Sequence, residues 1–286
     1  MKVVPFSVPK ISNQAFRFQD DQLPYFYDKL HQHSEVQVML IISGEGTLIA
    51  GDFVGRFEPD DLYVIGSEQA HVFRSDDIYY RSKSKLKAHS YSLYFDEKYA
   101  GENFWQLDEL AAARNFIKTA GRGFKVTGTC RTAVTDLIKK LPQKMGMERL
   151  LAFLQIIHLF SNTKELRPLS VSSHHPDYSN REGKRMNDIL QFSFRESYRK
   201  IYVSEVADVA NLSTEAFCRY FKLRTRKTYT NFLNEVRISN ACKLIIQKDL
   251  SIQEICQQSG FSNLSNFNRI FRRVTGKTPT SYLQQR

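Results

Sequence analysis

Short apolar runs separated by turn residues make up the first third of the chain. Residues 36–42 (Val-Gln-Val-Met-Leu-Ile-Ile), 47–50 (Thr-Leu-Ile-Ala) and 61–65 (Asp-Leu-Tyr-Val-Ile) are each followed by a turn that contains glycine. Runs of this length and spacing are typical of the strands of antiparallel barrels and sandwiches. We therefore predict a small antiparallel β-domain over residues 1–100.

The pattern becomes helical between residues 104 and 160. Apolar residues recur there at steps of three or four positions, as at Leu150, Leu154 and Ile157. This spacing places them on one face of a helix, which must pack on another surface. We predict a helical segment over residues 101–163 whose helices pack on each other or on a second copy of the chain. We also predict a homodimer, with these helices pairing the two subunits.

Residues 164–183 have the composition of a linker. They include Pro168, Pro176 and several serines, and they show no periodic apolar stripe. The adjacent pair His174 and His175 could bind a metal, but two histidines in a flexible polar run are more often solvated. We predict an interdomain tether that leads to a second domain over residues 184–286.

An internal repeat with a spacing of 50 residues follows the predicted linker. Residues 217–233 align with residues 267–283 with eight identities in seventeen positions, including a phenylalanine, an arginine and a second phenylalanine at the same three offsets. Two copies are too few for a solenoid, which needs about three or more repeats. Each copy should therefore be a compact unit.

Each copy has the pattern of a helix, a tight turn and a second helix. Serines stand where the four helices should begin, and these predicted N-caps are Ser204, Ser213, Ser251 and Ser262. The turns contain Asn211 in the first copy and Gly260 in the second. Both residue types tolerate the left-handed backbone that a sharp turn between helices requires. We predict two helix-turn-helix units.

The outer face of each second helix carries polar and cationic residues suited to a major groove. Arginine pairs with guanine and asparagine pairs with adenine, while cations one turn further along reach phosphates. The predicted base-contacting residues are Thr214, Glu215, Cys218, Arg219, Asn263, Leu264, Ser265, Asn268 and Arg269. The predicted phosphate-contacting residues are Ser213, Lys222, Lys227, Ser262, Arg272, Arg273 and Lys277.

A continuous helix over residues 230–247 is predicted between the two copies, because Phe232, Val236 and Ala241 lie at helical spacing. Its length is about 27 Å at 1.5 Å per residue. Successive major grooves on one face of DNA are about 34 Å apart. One domain could therefore read two adjacent grooves.

The charge distribution supports a polyanion-binding C-terminal domain. Residues 181–286 hold 19 Lys/Arg and 9 Asp/Glu, so they carry +10 of the net charge of +11. A merely solvated surface would spread the charge more evenly. The four cysteines show no metal or disulfide spacing, and no apolar run is long enough to span a bilayer, so we expect a cytoplasmic protein without a membrane partner.

The residues of the repeat resemble the signature of the AraC/XylS family of transcription regulators. The motifs are residues 251–255 (Ser-Ile-Gln-Glu-Ile), 259–261 (Ser-Gly-Phe), 266–269 (Asn-Phe-Asn-Arg) and 275–279 (Thr-Gly-Lys-Thr-Pro). The resemblance implies two helix-turn-helix units joined by a long helix, with base contacts from the faces named above. One departure is Arg226, which stands where the family usually has a glycine such as Gly276.

The N-terminal domain is similar to a cupin barrel of the kind often fused to this DNA-binding domain. The resemblance rests on residues 31–35 (His-Gln-His-Ser-Glu), the glycine turns and His71. Metal-binding cupins place a glutamate where this chain has Gln37, and a neutral ligand lowers the affinity for a divalent metal. The candidate effector pocket is formed by His31, His33, Gln37 and His71, and we predict no metal and no other cofactor.

Two function classes follow from these patterns. The first is a transcription regulator that binds double-stranded operator DNA, senses a small-molecule effector in its barrel and can contact RNA polymerase. The second is a cupin metalloenzyme, such as a dioxygenase, fused to a DNA-binding tail. The predicted fold class is α+β in both cases. The regulator is favoured because the sequence shows no nucleophile and base pair, no phosphate loop and no complete metal set.

Overall fold

The computed structural model describes residues 14–96, 100–101, 103–171, 180–247 and 250–284. The chain forms two compact units with a boundary close to residue 177. The first unit contains the β-sheets and three helices, and the second contains the remaining helices. No helix in the described part of the chain is long and apolar enough to cross a membrane.

Two antiparallel sheets form the framework of the first unit. The six-stranded sheet has the order β1-β7-β2-β5-β8-β9 and the three-stranded sheet has the order β4-β3-β6. The strands are β1 (Arg17–Leu23), β2 (Val36–Ser43), β3 (Gly46–Ala50), β4 (Phe53–Phe57), β5 (Leu62–Ile65), β6 (His71–Ser75), β7 (Ala88–Phe95), β8 (Phe124–Val126) and β9 (Leu166–Pro168).

The alternation along the central strand β2 places its side chains in two different layers. Val36, Val38 and Leu40 belong to a core shared with the helices of this unit. Met39 and Ile41 belong to a second core between the two sheets. Because successive side chains of a strand point to opposite faces, the buried Gln37 lies on the same face as Met39.

The predicted closed barrel is wrong for the described residues. The two sheets pack face to face through the core that holds Met39 of one sheet and Phe73 of the other. The six-stranded sheet is extended outward from β5 by β8 and β9, so its edge does not return to the smaller sheet. The first unit is a mixed sheet and helix structure, and its antiparallel sheets agree with the strand predictions.

Three helices cover the outer face of the six-stranded sheet. They are α1 (Ala111–Ala120), α2 (Gly128–Lys140) and α3 (Gly146–Ser161). Phe116, Val134 and Phe153 from the three helices join the core that also contains Val38. These helices fall within residues 101–163, where the helical segment was predicted, and β8 lies between α1 and α2. The apolar faces of the helices are buried against the sheet of their own chain.

The predicted linker over residues 164–183 is wrong at both ends. Strand β9 lies inside it and pairs with β8. The amide of Leu169 donates to the carbonyl of Gly123 at 3.0 Å and Ser170 is buried, so this segment belongs to the sheet domain. A helix begins at Asn180. The intervening residues, including His174 and His175, lie outside the described residues.

Seven helices of the second unit are described, and they contain the two predicted helix-turn-helix units. They are α4 (Asn180–Glu196), α5 (Val203–Val209), α6 (Thr214–Thr225), α7 (Tyr229–Gln247), α8 (Ile252–Gln258), α9 (Leu264–Thr275) and α10 (Pro279–Leu283). The first helix-turn-helix copy is α5 with α6, and the second copy is α8 with α9. The connecting helix α7 confirms the prediction for residues 230–247.

Each helix-turn-helix unit builds its core from the repeated aromatic residues together with one part of α7. In the first copy the ring of Phe221 lies 5.3 Å from that of Phe232 of α7, measured between centroids. In the second copy Phe267 and Phe271 pack with Ala241 of α7. Because α7 contributes to both cores, it holds the two helix-turn-helix copies in the same domain.

Two of the four predicted serine caps are confirmed. Ser213 Oγ accepts from the amide of Ala216 at 3.2 Å, and Ser251 Oγ accepts from the amide of Glu254 at 3.3 Å. The other two predictions are wrong. Helix α5 begins after Tyr202 rather than at Ser204, and α9 is capped by Asn263 rather than Ser262. In both places a neighbouring residue has the extended backbone that a cap requires.

Candidate nucleic-acid interface and ligand pocket

Helix α6 presents a polar face to solvent because its apolar residues point inward. Phe217 and Phe221 are fully buried. Cys218 and Arg219 between them are exposed, and so is Lys222 directly after Phe221. The cap at Ser213 fixes the start of the helix, which places Thr214 and Glu215 in its exposed first turn.

Helix α9 repeats this arrangement with a more cationic face. Phe267, Ile270 and Phe271 are buried. The exposed residues of α9 on the predicted DNA side are Leu264, Ser265, Asn268, Arg269, Arg272 and Arg273. The Oδ1 atom of Asn263 accepts from the amide of Asn266 at 2.9 Å, and Arg269 donates to Asn266 Oδ1 at 2.8 Å. The side chain of Arg269 is therefore anchored near the start of its helix.

The two turns have equivalent backbone geometry. Asn211 has a φ of 52° and Gly260 has a φ of 84°. The next amide donates back into the first helix in both copies, from Leu212 to the carbonyl of Ala207 and from Phe261 to that of Cys256, each at 3.0 Å. The sequence prediction of left-handed turn residues is confirmed.

Helices α6 and α9 also end alike, in spite of the substitution at Arg226. Arg226 adopts a left-handed conformation with a φ of 58°, and Gly276 does so with a φ of 76°. After the first of these caps, Lys227 Nζ lies 2.6 Å from Glu235 Oε2 in a half-buried ion pair. Lys227 was predicted to contact phosphate, and this pairing holds its ammonium against α7. Lys277, its equivalent in the second copy, is exposed.

Helix α4 positions the first recognition helix, and the sequence analysis missed it. The hydroxyl of Tyr220 on α6 donates to the carbonyl of Glu182 at 2.9 Å, and Arg224 pairs with the Glu182 carboxylate. The buried side chains Met186, Ile189 and Leu190 fall at helical spacing. This spacing was the signal in the sequence that could have revealed α4.

A second missed contact fixes the connecting helix. The guanidinium of Arg237 on α7 donates to the carbonyl of Ser197 at 2.9 Å and to that of Arg199 at 2.6 Å. These carbonyls follow the C-terminal end of α4. Because no intrahelical partner is available to carbonyls beyond a helix end, a guanidinium fork is a suitable donor. Arg237 therefore acts as a structural residue of the domain.

The four predicted pocket residues of the first unit come together as a buried cluster. The imidazole centroids of His31 and His71 are 4.2 Å apart, and those of His33 and His71 are 5.0 Å apart. His33 Nε2 lies 3.3 Å from Oε1 of Gln37. Gln37 lies on β2 and His71 lies on β6. An isolated bridge between His31 and His71 joins the segment before β2 to β6.

Burial keeps the three imidazoles neutral near pH 7. Loss of hydration lowers the pKa of His31 to about 4, and it also lowers the pKa of His33 and of His71. The same effect raises the pKa of the Tyr94 phenol, which accepts from the amide of Gln37 at 3.0 Å. The cluster is therefore polar but uncharged.

A cavity of about 160 Å³ adjoins this cluster. Its size is close to that of a buried cavity of roughly 150 Å³ that holds benzene. It is lined by both aromatic and polar side chains, namely Gln19, Asp21, Leu23, Phe26, Tyr27, His31, Gln37, Met39, His71, Phe73, Ser90, Ser92 and Tyr94. A small ligand with apolar surface and a few hydrogen-bonding groups matches this lining.

Comparison with known proteins adds a second line of evidence for the C-terminal unit. A family model described as a helix-turn-helix domain matches residues 206–285. This range includes α6, α7, α8 and α9. The chain is 22% identical to the uncharacterized HTH-type transcriptional regulator YdeC of Bacillus subtilis, with 90% of this chain and 86% of that protein aligned.

Two further relatives are named as regulators. The HTH-type transcriptional activator RhaR of Enterobacter sp. is 22% identical over 92% of this chain and 89% of its own length. The probable transcriptional regulator LumQ of Photobacterium leiognathi is 30% identical, but over 37% of this chain and 43% of its own length. The chain is a DNA-binding transcription regulator with a helix-turn-helix domain of the AraC type.

Solved structures with detectable similarity include a complex with DNA and a complex with a small molecule. The DNA-binding domain of AdpA in complex with a target DNA aligns with 34% of this chain and 87% of that chain, at 24% identity and a TM-score of 0.33. ToxT from Vibrio cholerae, bound to a naphthalenyl butenoic acid, aligns with 95% of this chain and 99% of that chain, at 13% identity and a TM-score of 0.36.

In this regulator the predicted DNA-contacting residues lie on exposed surface with one exception. The nine predicted base-contacting residues are all exposed. Among the predicted phosphate-contacting residues, Lys227 is half-buried in its ion pair and the other six are exposed. The structure thus brings the residues of each recognition helix onto one face, and their individual contacts with DNA stay predictions.

Proposed function

We propose that this regulator binds operator DNA by placing α6 and α9 in two successive major grooves, and that a small molecule in the N-terminal pocket controls this binding. The observation that carries the proposal is the equivalence of the two helices. Each is capped, each is joined to its partner helix by a left-handed turn, and each has a polar outer face. Duplicated geometry of this kind fits a ligand with a repeating surface, and DNA has one.

The side chains on the two helices divide the proposed reading between them. On α6, Arg219 carries a guanidinium that suits the two acceptors of guanine, and on α9 Asn268 and Arg269 suit adenine and guanine. Lys222 and Arg272 lie one turn further along, where phosphates flank the groove. Helix α7, of 19 residues, is about 28 Å long and so matches the scale of the groove spacing.

The proposed control by a small molecule is supported by the cavity beside the histidine cluster. The cavity lies in the first unit, and its lining combines aromatic rings, neutral hydrogen-bonding groups and the carboxylate of Asp21. An effector acts on DNA binding if it changes the populations of conformers that present the two DNA-binding domains differently. The homodimer and the contact with RNA polymerase stay predictions, and exposed Met147 and Leu151 on α3 mark a surface where a second copy could pack.

An enzyme with a DNA-binding tail is the less favoured alternative. The relatives that match along most of the chain are named as transcriptional regulators. Among the described residues, the histidine cluster is the group that could hold a metal ion, and the amide beside it is the neutral Gln37. Stoichiometric iron in the purified protein together with oxygen consumption would favour the enzyme.

Selection of bound fragments from genomic DNA tests the proposed function directly. The full-length chain should enrich a small set of sequences, and its affinity for these should exceed that for random duplex by a factor of about 10³ or more at physiological salt. Arg269→Ala should lose most of this preference. Arg195→Ala is the matched control, because Arg195 is an exposed arginine of the same domain that lies on α4, outside the proposed interface.

Failure to enrich any sequence over random duplex would contradict the proposal. Loss of preference in Arg195→Ala equal to that in Arg269→Ala would also contradict it, because the effect would then come from total charge. The genes next to the selected fragments would indicate candidate effectors. Each candidate is tested by adding it to the protein and remeasuring the affinity for the selected DNA.

A further inference from the structure

The cavity of the first unit has a negative charge in its wall. Asp21 is one of the lining residues, and among the described residues that line the cavity there is no lysine or arginine. Burial lowers the pKa of His31 and of His71, so both imidazoles are neutral. Burial raises the pKa of Tyr27 and of Tyr94, so both phenols are neutral as well. The carboxylate of Asp21 therefore gives the lining a net negative charge.

Strand β1 directs Asp21 toward the cavity. Gln19, Asp21 and Leu23 line the cavity, and they are alternate residues of this strand. Asp20 lies between the first two, is exposed and is not part of the lining. In the register of the sheet Asp21 is opposite Ser90 of β7, which also lines the cavity. The inward direction of the carboxylate is thus set by strand pairing, because successive side chains point to opposite faces of a sheet.

The carboxylate of Asp21 is held in place by a neutral donor. The amide nitrogen of Gln19 lies 2.7 Å from one carboxylate oxygen and 2.8 Å from the other. This contact leaves the charge unbalanced, and a carboxylate has about four lone-pair sites, so most of them stay open to a ligand. Arg17 shares this face of β1, but it is not part of the lining and lies roughly 13 Å from Asp21 along the strand.

Aromatic rings form another part of the wall. Phe26, Tyr27 and Phe73 all line the cavity. The rings of Phe26 and Phe73 lie 6.3 Å apart, measured between centroids. Aromatic faces attract organic cations as well as apolar groups. A carboxylate and several aromatic rings in one wall suit a ligand that has a positive charge and an apolar body.

We propose that the effector in this cavity is a small organic cation, an amine with a compact apolar body, whose ammonium group pairs with the carboxylate of Asp21. The inference rests on the proposed function, because it names the ligand class of the pocket that is proposed there to control DNA binding. The cavity volume of about 160 Å³ suits a body on the scale of one ring, since a cavity of roughly 150 Å³ holds benzene.

Ligands of other charge fit this wall less well. A neutral ligand that fills the cavity removes water from the carboxylate of Asp21 and supplies no charge in exchange, which costs free energy. An anionic ligand adds repulsion between like charges. An ammonium group instead donates a charge-assisted hydrogen bond to the carboxylate.

Three probes that share one aromatic ring and differ in charge test the ligand class. Benzylamine, which is protonated at pH 7.5, is compared with benzyl alcohol and with benzoate by calorimetry on the full-length chain. We expect saturable binding of one benzylamine per chain. Its affinity should exceed that of benzyl alcohol by about tenfold or more, as for a hydrogen bond to a charged group. Benzoate should bind more weakly than either.

Two matched variants locate the charge. Asp21→Asn keeps the size of the side chain and removes its charge, so it should lower the affinity for benzylamine to about that for benzyl alcohol. Its affinity for benzyl alcohol should not fall, which shows that the cavity is intact. Asp20→Asn is the control, because Asp20 is the adjacent carboxylate on β1, is exposed, and pairs with His89 at 2.8 Å. It should leave the order of the three probes unchanged.

Several results would overturn the proposal. They are binding of benzyl alcohol or benzoate by the parent as tightly as benzylamine, binding of none of the three probes, an advantage of benzylamine that persists in Asp21→Asn, or an equal loss of that advantage in Asp20→Asn. The comparison in the parent protein stands even if Asp21→Asn fails to fold.

Failure of this ligand class is distinguishable from failure of the proposed function. The preference of the parent protein for the selected DNA is measured separately, without any probe. Control of that preference by an uncharged or anionic effector refutes the cation alone. Absence of the preference refutes the proposed function.

Discussion

At the scale of single residues, Arg269 and Lys222 should contribute to DNA binding in different ways. Arg269 lies in the first half of α9 and is held by Asn266, whereas Lys222 lies one turn beyond the centre of α6. Arg269→Ala should cost about 1–3 kcal/mol on the cognate duplex and relax the preference at one base pair. Competition binding with single-base variants of the selected duplex measures this.

Lys222→Ala should weaken binding to all duplexes to a similar extent. A phosphate contact carries no sequence information, and its loss should reduce the slope of log K against log salt by about 0.9. Salt titrations on cognate and random duplex measure both quantities. Equal losses for the two variants on both duplexes would contradict this division of roles.

The buried histidines predict how the stability of the first unit depends on pH. Burial lowers the folded-state pKa of His31 to about 4, and those of His33 and His71 also fall below the unfolded value of about 6.5. The unfolded chain therefore binds more protons than the folded one below pH 6.5. Stability is fully present above that pH and is lost progressively as the pH falls toward 4.

Chemical unfolding of the protein between pH 7.5 and 4.5 checks this expectation. The free energy of unfolding of the first unit should fall by a few kcal/mol over this range. His89→Ala serves as a control, because His89 on β7 pairs with Asp20 of β1 rather than belonging to the cluster, so the cluster's contribution should persist in this variant. A flat profile between pH 6.5 and 4.5 would contradict the burial of neutral imidazoles.

The sequence correctly predicted which side chains are exposed where the periodicity of a single helix determines it. Spacing of Phe217 and Phe221 places Arg219 outward whatever surrounds the helix. It did not predict the pairing of Lys227 with Glu235, which lies on α7 and comes close through the folding of the domain. The same reason explains why the Glu182 contacts of α6 were missed.

At the scale of the elements, the turn glycines predict different tolerance to a side chain. A Cβ at Gly260 would lie 2.1 Å from the carbonyl oxygen of Ser197, whereas a Cβ at Gly276 would meet no atom within 4 Å. Both have a positive φ. Gly276→Ala should therefore cost about 1 kcal/mol for its backbone alone, and Gly260→Ala should cost at least about 3 kcal/mol because backbone must also move.

Urea unfolding of the two variants measures this difference. Arg226 already adopts the conformation of Gly276 without a glycine, so Arg226→Gly should be neutral or stabilising by up to about 1 kcal/mol. If Gly260→Ala and Gly276→Ala had the same effect, the close approach of the second turn to the end of α4 would be contradicted.

Helix α7 and strand β2 could be predicted from the sequence, but the three-residue strands β8 and β9 could not. Helix α7 and strand β2 have long apolar patterns of their own. Strands β8 and β9 have three residues each, and they are strands because β5 offers an edge to pair with. Such a pairing depends on tertiary structure, so the predicted helical segment and linker each contained a strand.

At the scale of the whole molecule, the closed barrel was the least accurate prediction. Evenly spaced strands are shared by barrels and sandwiches, and closure depends on which strand meets which edge. Here β8 and β9 extend one sheet, and three helices cover it. The interior face between the sheets still carries Gln37 and His71, because the alternation of β2 and β6 decides that independently of closure.

The division of charge between the halves is also a property of the whole molecule. The C-terminal 106 residues carry nearly all of the net charge, and this part contains both recognition helices. A domain that contacts two grooves should neutralise several phosphates on each. Its affinity should therefore fall steeply with salt, while its preference for the selected sequence should fall less.

Hydroxyl-radical footprinting of the full-length chain on its selected duplex tests the central claim, that α6 and α9 occupy successive major grooves. We expect two protected patches centred about 10 base pairs apart on one face of the DNA. Arg219→Ala should weaken one patch and Arg269→Ala the other. A single patch, or two patches that both variants weaken equally, would contradict the account.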